Sequence, residues 1–158
     1  MKTIQLTKGY QAMVDDEDFE RVNAIKWYAQ VTKRYVYAAH RNSNNNGMLY
    51  LHKFVLNQTG KVFVDHKDHN TLNCQKDNLR PCDNRQNQWN GQIPIKRSNH
   101  PSKYKGVSYE HGKWRARIRV NGIKKHLGSF LDEWQAAEAY NQASIDLHKE
   151  FAYLNKKR

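Results

Sequence analysis

The stretch GKWRARIRV, residues 112–120, limits what this chain can fold into more than any other segment. Lys113, Arg115, Arg117 and Arg119 alternate with Trp114, Ala116, Ile118 and Val120. A period of two belongs to a β-strand, whose successive side chains point to opposite faces. One face of this strand is cationic and the other apolar. His-Gly at 111–112 and Asn-Gly at 121–122 bracket it, and Asn-Gly is a strong hairpin signal. KYKGVSYEHGKWRARIRVNGIKKHLGSF (103–130) therefore reads as three short strands. DEWQAAEAYNQASIDLHKE follows as an amphipathic helix with Ala136, Tyr140, Ala143 and Leu147 on one stripe. Asp132 and Gln135 suit a capping box at its start. The apolar sheet face should cover this helix and leave the arginines outward. Three arginines in register without interleaved acids repel one another unless an anionic partner meets them.

The rest of the chain is organised differently. GQIPIKRSNHPS (91–102) holds two prolines with polar and basic residues and no periodicity, which describes a linker between regions 1–90 and 103–158. With 38% hydrophobic residues in 158, small modules fit better than one large core. The formal charge is +12, with 11% aromatics, a balance that favours a nucleic-acid partner. Residues 91–158 carry fourteen Lys and Arg against six Asp and Glu, and residues 1–90 carry thirteen against nine. The C-terminal region is thus the stronger candidate for phosphate contact. Cys74 and Cys82 form no CxxC pair, so structural zinc has little support and a reducing setting suits two free thiols. No apolar run approaches membrane-spanning length, and the N-terminus lacks a signal-peptide core. A soluble, cytoplasmic protein without membrane or small-molecule cofactor is expected.

Within residues 1–48, TIQLT and YQAMV are strand candidates around Lys8-Gly9. DDEDFERVNAIKW is a brief helix with an acidic first turn. WYAQV and YVYAAHR are two strands joined at Thr32-Lys33-Arg34, and NSNNNG is a polar loop tip. MLYLHKFVL (48–56) fits strand or helix equally. Farther on, Asp83 can cap a short helix over Asn84–Asn90 that Gly91 ends.

VFVDHKDHNTLN (62–73) places Asp65, His66, Asp68 and His69 directly after a short β-type run. A metal site, a catalytic base and an ordinary polar turn all fit these residue types. At a strand end, Asp65 and His66 point to opposite sides, so one can hold a cation while the other reaches a substrate. Mg²⁺ prefers a few hard oxygen ligands and keeps positions for water and phosphate. A histidine with an unperturbed pKa of about 6.5 can take a proton from water near neutrality.

VDHKDHNTLNCQKDNLRPCDNRQNQWN (64–90) resembles the HNH, or ββα-metal, motif of phage and bacterial homing endonucleases. The lead-in LYLHKFVLNQTGKVFVDH and the N-terminal IQLTKGYQAMVDDEDFERVNAIKW are similar to regions that precede that motif. The resemblance spans residues 1–90, with the motif at about 49–90. It implies that Asp65 binds the metal and His66 is the general base. It further implies that Asn78 braces the loop and that Asn87, where many relatives have His, completes the metal site. Asn84 and Asn90 flank Asn87 by one turn, placed either to support it or to touch DNA, and Asn73 stabilises the loop. His69 and Asp68 are read as turn and loop residues, and His52 as a packing residue or phosphate contact. The implied reaction is Mg²⁺-dependent phosphodiester hydrolysis, with Mn²⁺ or another divalent metal as an alternative, giving a 5′-phosphate and a 3′-hydroxyl.

Residues 103–155 resemble the plant AP2/ERF DNA-binding domain in YKGV (104–107), GKWRARIR (112–119), HLGSF (126–130), AAEAYNQAS (136–144) and AYLN (152–155). The resemblance implies a three-stranded sheet that enters the major groove of double-stranded DNA. Its contact positions fall on Lys105, Ser108, Arg115, Arg117, Arg119, Lys124 and His126. Ser108, Arg117 and His126 depart from the usual plant residues, so plant site preference does not transfer. The expected fold class is α+β: a small β-rich region leading into a ββα-metal motif, then a three-stranded antiparallel sheet on one helix. The expected function is a site-specific homing endonuclease in a phage or bacterial host cell. A monomer is favoured, which with one active site would most simply nick. The rivals are a DNA-binding regulator with a non-catalytic HNH-like part and a zinc-stabilised structural module.

Overall fold

The computed structural model describes residues 1–41, 47–91 and 102–157. Residues 42–46 of the expected loop tip and 92–101 of the expected linker lie outside the described residues. The fold is mixed α and β, with four small antiparallel sheets among the described residues. It divides into two compact units, Met1–Asn87 and Gln88–Arg158. Gln88, Trp89 and Asn90, read from the sequence with the first region, group with the second. Lys105 donates to the Gln88 and Trp89 carbonyls, and Trp89 stacks on His148.

In the first unit, β1 (Lys2–Gln5) and β2 (Gln11–Val14) pair antiparallel. Lys8 and Gly9 turn the chain between them with φ of 61° and 75°. The acidic stretch gives one 3-10 turn, Asp16–Asp18, and then α1 (Phe19–Asn23). Next, β3 (Tyr28–Val31), β4 (Val36–Arg41) and β5 (Met48–Tyr50) form an antiparallel sheet in that order. The run that fitted strand or helix is both: β5 ends at Tyr50 and α2 (Leu51–Val55) begins at once. The switch seats Leu51 and Val55, one helical turn apart, in the core. Arg21 satisfies the end of α2, donating from Nη2 to Val55 O at 2.7 Å and from Nη1 to Phe54 O at 3.2 Å, with Nε on Asp18 at 2.8 Å.

The last part of this unit runs strand, strand and the first turn of a helix. β6 (Phe63–His66) pairs antiparallel with β7 (Leu79–Cys82), and α3 (Asn84–Asn90) follows. Pro81 is accommodated in β7 because in a two-stranded sheet every strand is an edge, where proline is tolerated. The 67–78 loop is tied to β2, where Met13 N donates to Leu72 O and Cys74 N to Met13 O, both at 2.8 Å. One core, from Ile4 and Val14 through Trp27 and Leu51 to Val64, Cys74 and Leu79, joins these pieces.

The second unit holds β8 (Val107–Glu110), β9 (Lys113–Val120) and β10 (Ile123–Phe130) in the order β10-β9-β8, with α4 (Glu133–His148) packed on them. His111-Gly112 and Asn121-Gly122 all take positive φ, the two-residue hairpin geometry expected from the sequence. Asp132 accepts from Gln135 N at 2.9 Å and starts α4. The buried row of α4 is Ala136, Tyr140, Ser144 and His148 rather than the expected Ala143 and Leu147, which are half-buried. A spacing of four throughout keeps one row against the sheet, and Ser144 and His148 in it are both partnered: Ser144 Oγ lies 3.3 Å from His148 Nδ1, and His148 Nε2 lies 3.3 Å from Arg119 O on β9. Gly106 is required where it stands. A Cβ there would lie 1.9 Å from the Tyr140 ring, with φ already +77°. Among the described residues, no helix is long and apolar enough to cross a membrane.

Candidate functional site

Asp65 and His66 are the last two residues of β6, and both are buried. Asp65 faces Arg80 across the ladder and accepts from Arg80 Nε at 2.8 Å and Nη2 at 2.6 Å, both on Oδ2. Sequence reasoning missed Arg80. The signal was the register: once β6 and β7 form a hairpin with His66 opposite Leu79, Arg80 must face Asp65.

His66 sits edge-on to His52, with ring centroids 5.1 Å apart at 79°. His52 in turn stacks on Tyr50 at 5.5 Å and touches Tyr37 at 5.8 Å. These rings come from β4, β5 and α2, so the β3-β4-β5 sheet and the helix after it supply the wall behind the strand end. Burial holds the His66 imidazole down at a pKa of about 4, against the opposing pull of the Asp65 and Asp68 carboxylates. Burial pushes His52 to about 3, helped by His66 and Lys53. Both rings are neutral at pH 7. His52, which the sequence left between packing and phosphate contact, is packed here.

The loop between β6 and β7 is built around Asn78. Its Nδ2 donates to Asp68 Oδ1 at 2.9 Å and to Asn73 O at 2.8 Å, and its Oδ1 accepts from Asp68 N at 3.0 Å. Asp68 also accepts from Asn70 N at 2.8 Å and Asn73 Nδ2 at 2.8 Å, and these bonds hold its carboxyl below the usual range against the cost of burial. His69 takes a φ of 64° at the turn. The loop is anchored from outside by Asp15, which accepts from Gln75 Nε2 at 3.1 Å and Lys76 N at 2.8 Å.

Asp83 starts α3 as the sequence suggested. Its Oδ1 accepts from Gln86 N at 2.7 Å while Gln86 Oε1 accepts from Asp83 N at 2.8 Å, a reciprocal capping box. Asn87 lies mid-helix and half-buried; Asn84 is exposed and Asn90 buried, so Asn90 is no surface contact. Among the described residues, no three His, Cys, Asp or Glu side chains gather as a metal-binding group. Cys74 and Cys82 are free thiols pushed up to about 12 and about 11 by burial, poor zinc ligands in that form.

In the second unit, the cross-strand register collects the cationic residues on one sheet face. Arg115 opposes Ser108 and Ser129, Arg117 opposes His126, and Arg119 opposes Lys124. The expectation that no acid interrupts this face is corrected by Glu110, on neighbouring β8. It accepts from Arg117 Nη1 at 2.8 Å and Nη2 at 2.6 Å and from Arg115 Nη1 at 3.1 Å. Alternation within β9 could not reveal an acid contributed by another strand. Lys105 has its ammonium engaged within the second unit. Its Nζ donates to the Trp89 carbonyl at 2.7 Å and lies 4.9 Å from the Tyr153 ring, while its backbone is clasped by Asn155.

A buried aspartate-histidine strand end, a braced loop and a capped helix follow one another in one continuous segment. Over 156 residues the chain is 33% identical to a protein of Acanthamoeba polyphaga mimivirus named an uncharacterized HNH endonuclease, covering 94% of this chain and 76% of that one. The chain belongs to the HNH endonuclease family. Over 48 residues, 28% of the chain, it is also 50% and 52% identical to AP2-like ethylene-responsive transcription factors of Oryza sativa subsp. japonica and Arabidopsis thaliana, of whose lengths it covers 8%. No family model matches the chain, and no solved structure matches it.

Proposed function

We propose that this protein is a site-specific, homing-type DNA endonuclease that hydrolyses phosphodiester bonds, with His66 as general base and a divalent cation held by Asp65 and Asn87. The observation that carries this reading is His66 itself, a neutral imidazole fixed by the His52 ring at the end of β6 beside Asp65. A neutral ring can accept a proton from water as that water attacks phosphorus in line. A phosphodiester arriving beside it adds negative charge, which raises the pKa from about 4 toward the working pH. Asn78 keeps the loop after His66 in one conformation, so the base need not be ordered during reaction.

One carboxylate and one amide carbonyl, with no thiolate, are the hard oxygen donors that Mg²⁺ or Mn²⁺ takes. When bound, such a cation supplies charge stabilisation to a non-bridging phosphate oxygen and the leaving 3′-oxygen. The AP2-like sheet anchors the enzyme on double-stranded DNA through Arg115, Arg117, Arg119, Lys124 and His126, which the register puts on one face. The test is supercoiled plasmid incubated with the protein in Mg²⁺ or EDTA, alongside His66→Ala. Nicked or linear DNA that needs Mg²⁺ and disappears in the variant, with DNA binding retained, is the expected result. Binding without cleavage in Mg²⁺ and Mn²⁺ would shift the function to a DNA-binding regulator.

A further inference from the structure

We propose that Arg80 couples cation loading to DNA binding, an inference that rests on the endonuclease reading above. Arg80 and Asp65 are a nearly buried pair, their side chains 11% and 7% exposed, with two guanidinium donors on one carboxylate oxygen. Asp65 is the single acid assigned to the cation, and its charge is already answered by Arg80. Asn87 adds a carbonyl dipole and no charge. Asp68, three residues on, spends its oxygens on Asn70, Asn73 and Asn78. A divalent cation entering this site alone would therefore face a neutral pair rather than an anion, with a guanidinium as its neighbour in a poorly solvated place.

The missing component is negative charge, and a phosphodiester supplies it. Its oxygens accept from a guanidinium fork as well as a carboxylate does, and they also ligate a hard cation. As the phosphate arrives, Arg80 exchanges the carboxylate for it, and Asp65 becomes available to the cation. Cation and DNA then strengthen each other's binding by the same factor, as linkage requires. The DNA-free protein holds metal weakly because Arg80 occupies the ligand.

The experiment is an electron paramagnetic resonance titration of the full chain with Mn²⁺, in a His66→Ala background that leaves DNA uncut, with and without a mixed-sequence duplex. The signal lost in Asp65→Asn defines the site. Adding duplex should tighten Asp65-dependent Mn²⁺ binding by about tenfold or more. Arg80→Gln should tighten binding to the DNA-free protein by a similar factor and shrink the gain from duplex to under about threefold. Equal Mn²⁺ affinity with and without duplex overturns the proposal, and so does an Arg80→Gln protein that binds no tighter than its parent. The duplex comparison on the parent decides by itself if Arg80→Gln does not fold. Plasmid cleavage by the unaltered protein reports separately on the endonuclease reading, since the titration needs no turnover.

Discussion

Replacing Asn78 by alanine isolates the brace of the candidate active site. The substitution removes three hydrogen bonds of 2.8–3.0 Å: two donated by Nδ2, one of them to the Asp68 carboxylate, and one accepted from Asp68 N. Neutral bonds contribute about 1 kcal/mol each and a bond to a charged group about 1.5–3, so the gross loss is about 4 kcal/mol. Water reaches this loop, since Asp68 and Asn70 are exposed, and solvation returns some of that. A net local loss of about 2–3 kcal/mol remains, or about 30- to 150-fold in an opening equilibrium. Because the chain has two units, a global melt is the wrong assay; amide hydrogen exchange resolves the loop. The Asp68 amide, which donates to Asn78 Oδ1, should lose protection by that factor, while amides of β9 stay unchanged. Asn78→Asp keeps an acceptor but sets a second carboxylate against Asp68, and should be no better than alanine. If Asp68 protection in Asn78→Ala stays within about twofold of the parent, backbone turns alone hold the loop and the bracing argument fails.

Other perturbations test the rest. His52 and His66 have folded pKa values of about 3 and about 4, below the unfolded value of about 6.5, so their stabilising contribution is complete above about pH 6.5 and is lost as pH falls toward 4. Each histidine contributes roughly 3 kcal/mol across that window, and a first unit equally stable to urea at pH 7 and pH 4.5 would contradict the buried, neutral assignment. Gly106→Ala drives a methyl into the Tyr140 ring and keeps a positive φ, and should destabilise the second unit by about 3 kcal/mol or more; a loss under about 1 in its denaturation curve would refute that packing. Glu110→Gln releases Arg115 and Arg117 from their acid, so DNA binding should tighten at low salt and the salt slope steepen by up to about one counterion; an unchanged slope would show that Glu110 does not mask them. Arg117→Ala should weaken binding and flatten the slope, and no change in either would remove the proposed DNA face.

Some of this molecule was written in short-range pattern. The alternation in Lys113–Val120, the Asn-Gly and His-Gly turns, and the caps at Asp83 and Asp132 each depend on neighbours a few residues away, so the sequence alone determined them. The spacing Asp65, His66, Asn78 and Asn87 belongs to the same class, because strand, loop and helix follow one another without interruption. Even the split of Met48–Leu56 was half legible, since a short apolar run supports either conformation and only burial of Leu51 and Val55 chooses the helix.

Tertiary structure decided what each of those residues meets. Arg80 reaches Asp65 because a hairpin closes over a twelve-residue loop, Glu110 reaches Arg117 because β8 lies beside β9, and His52 walls His66 because α2 follows a strand of a different sheet. Such partners are set by chain closure and packing rather than by local preference, so the sequence holds both members without saying that they meet. Their electrostatic consequences follow the same division. The sequence named a histidine and an aspartate side by side, but the burial that keeps the histidine neutral and the guanidinium that answers the aspartate exist only once the chain has folded around them.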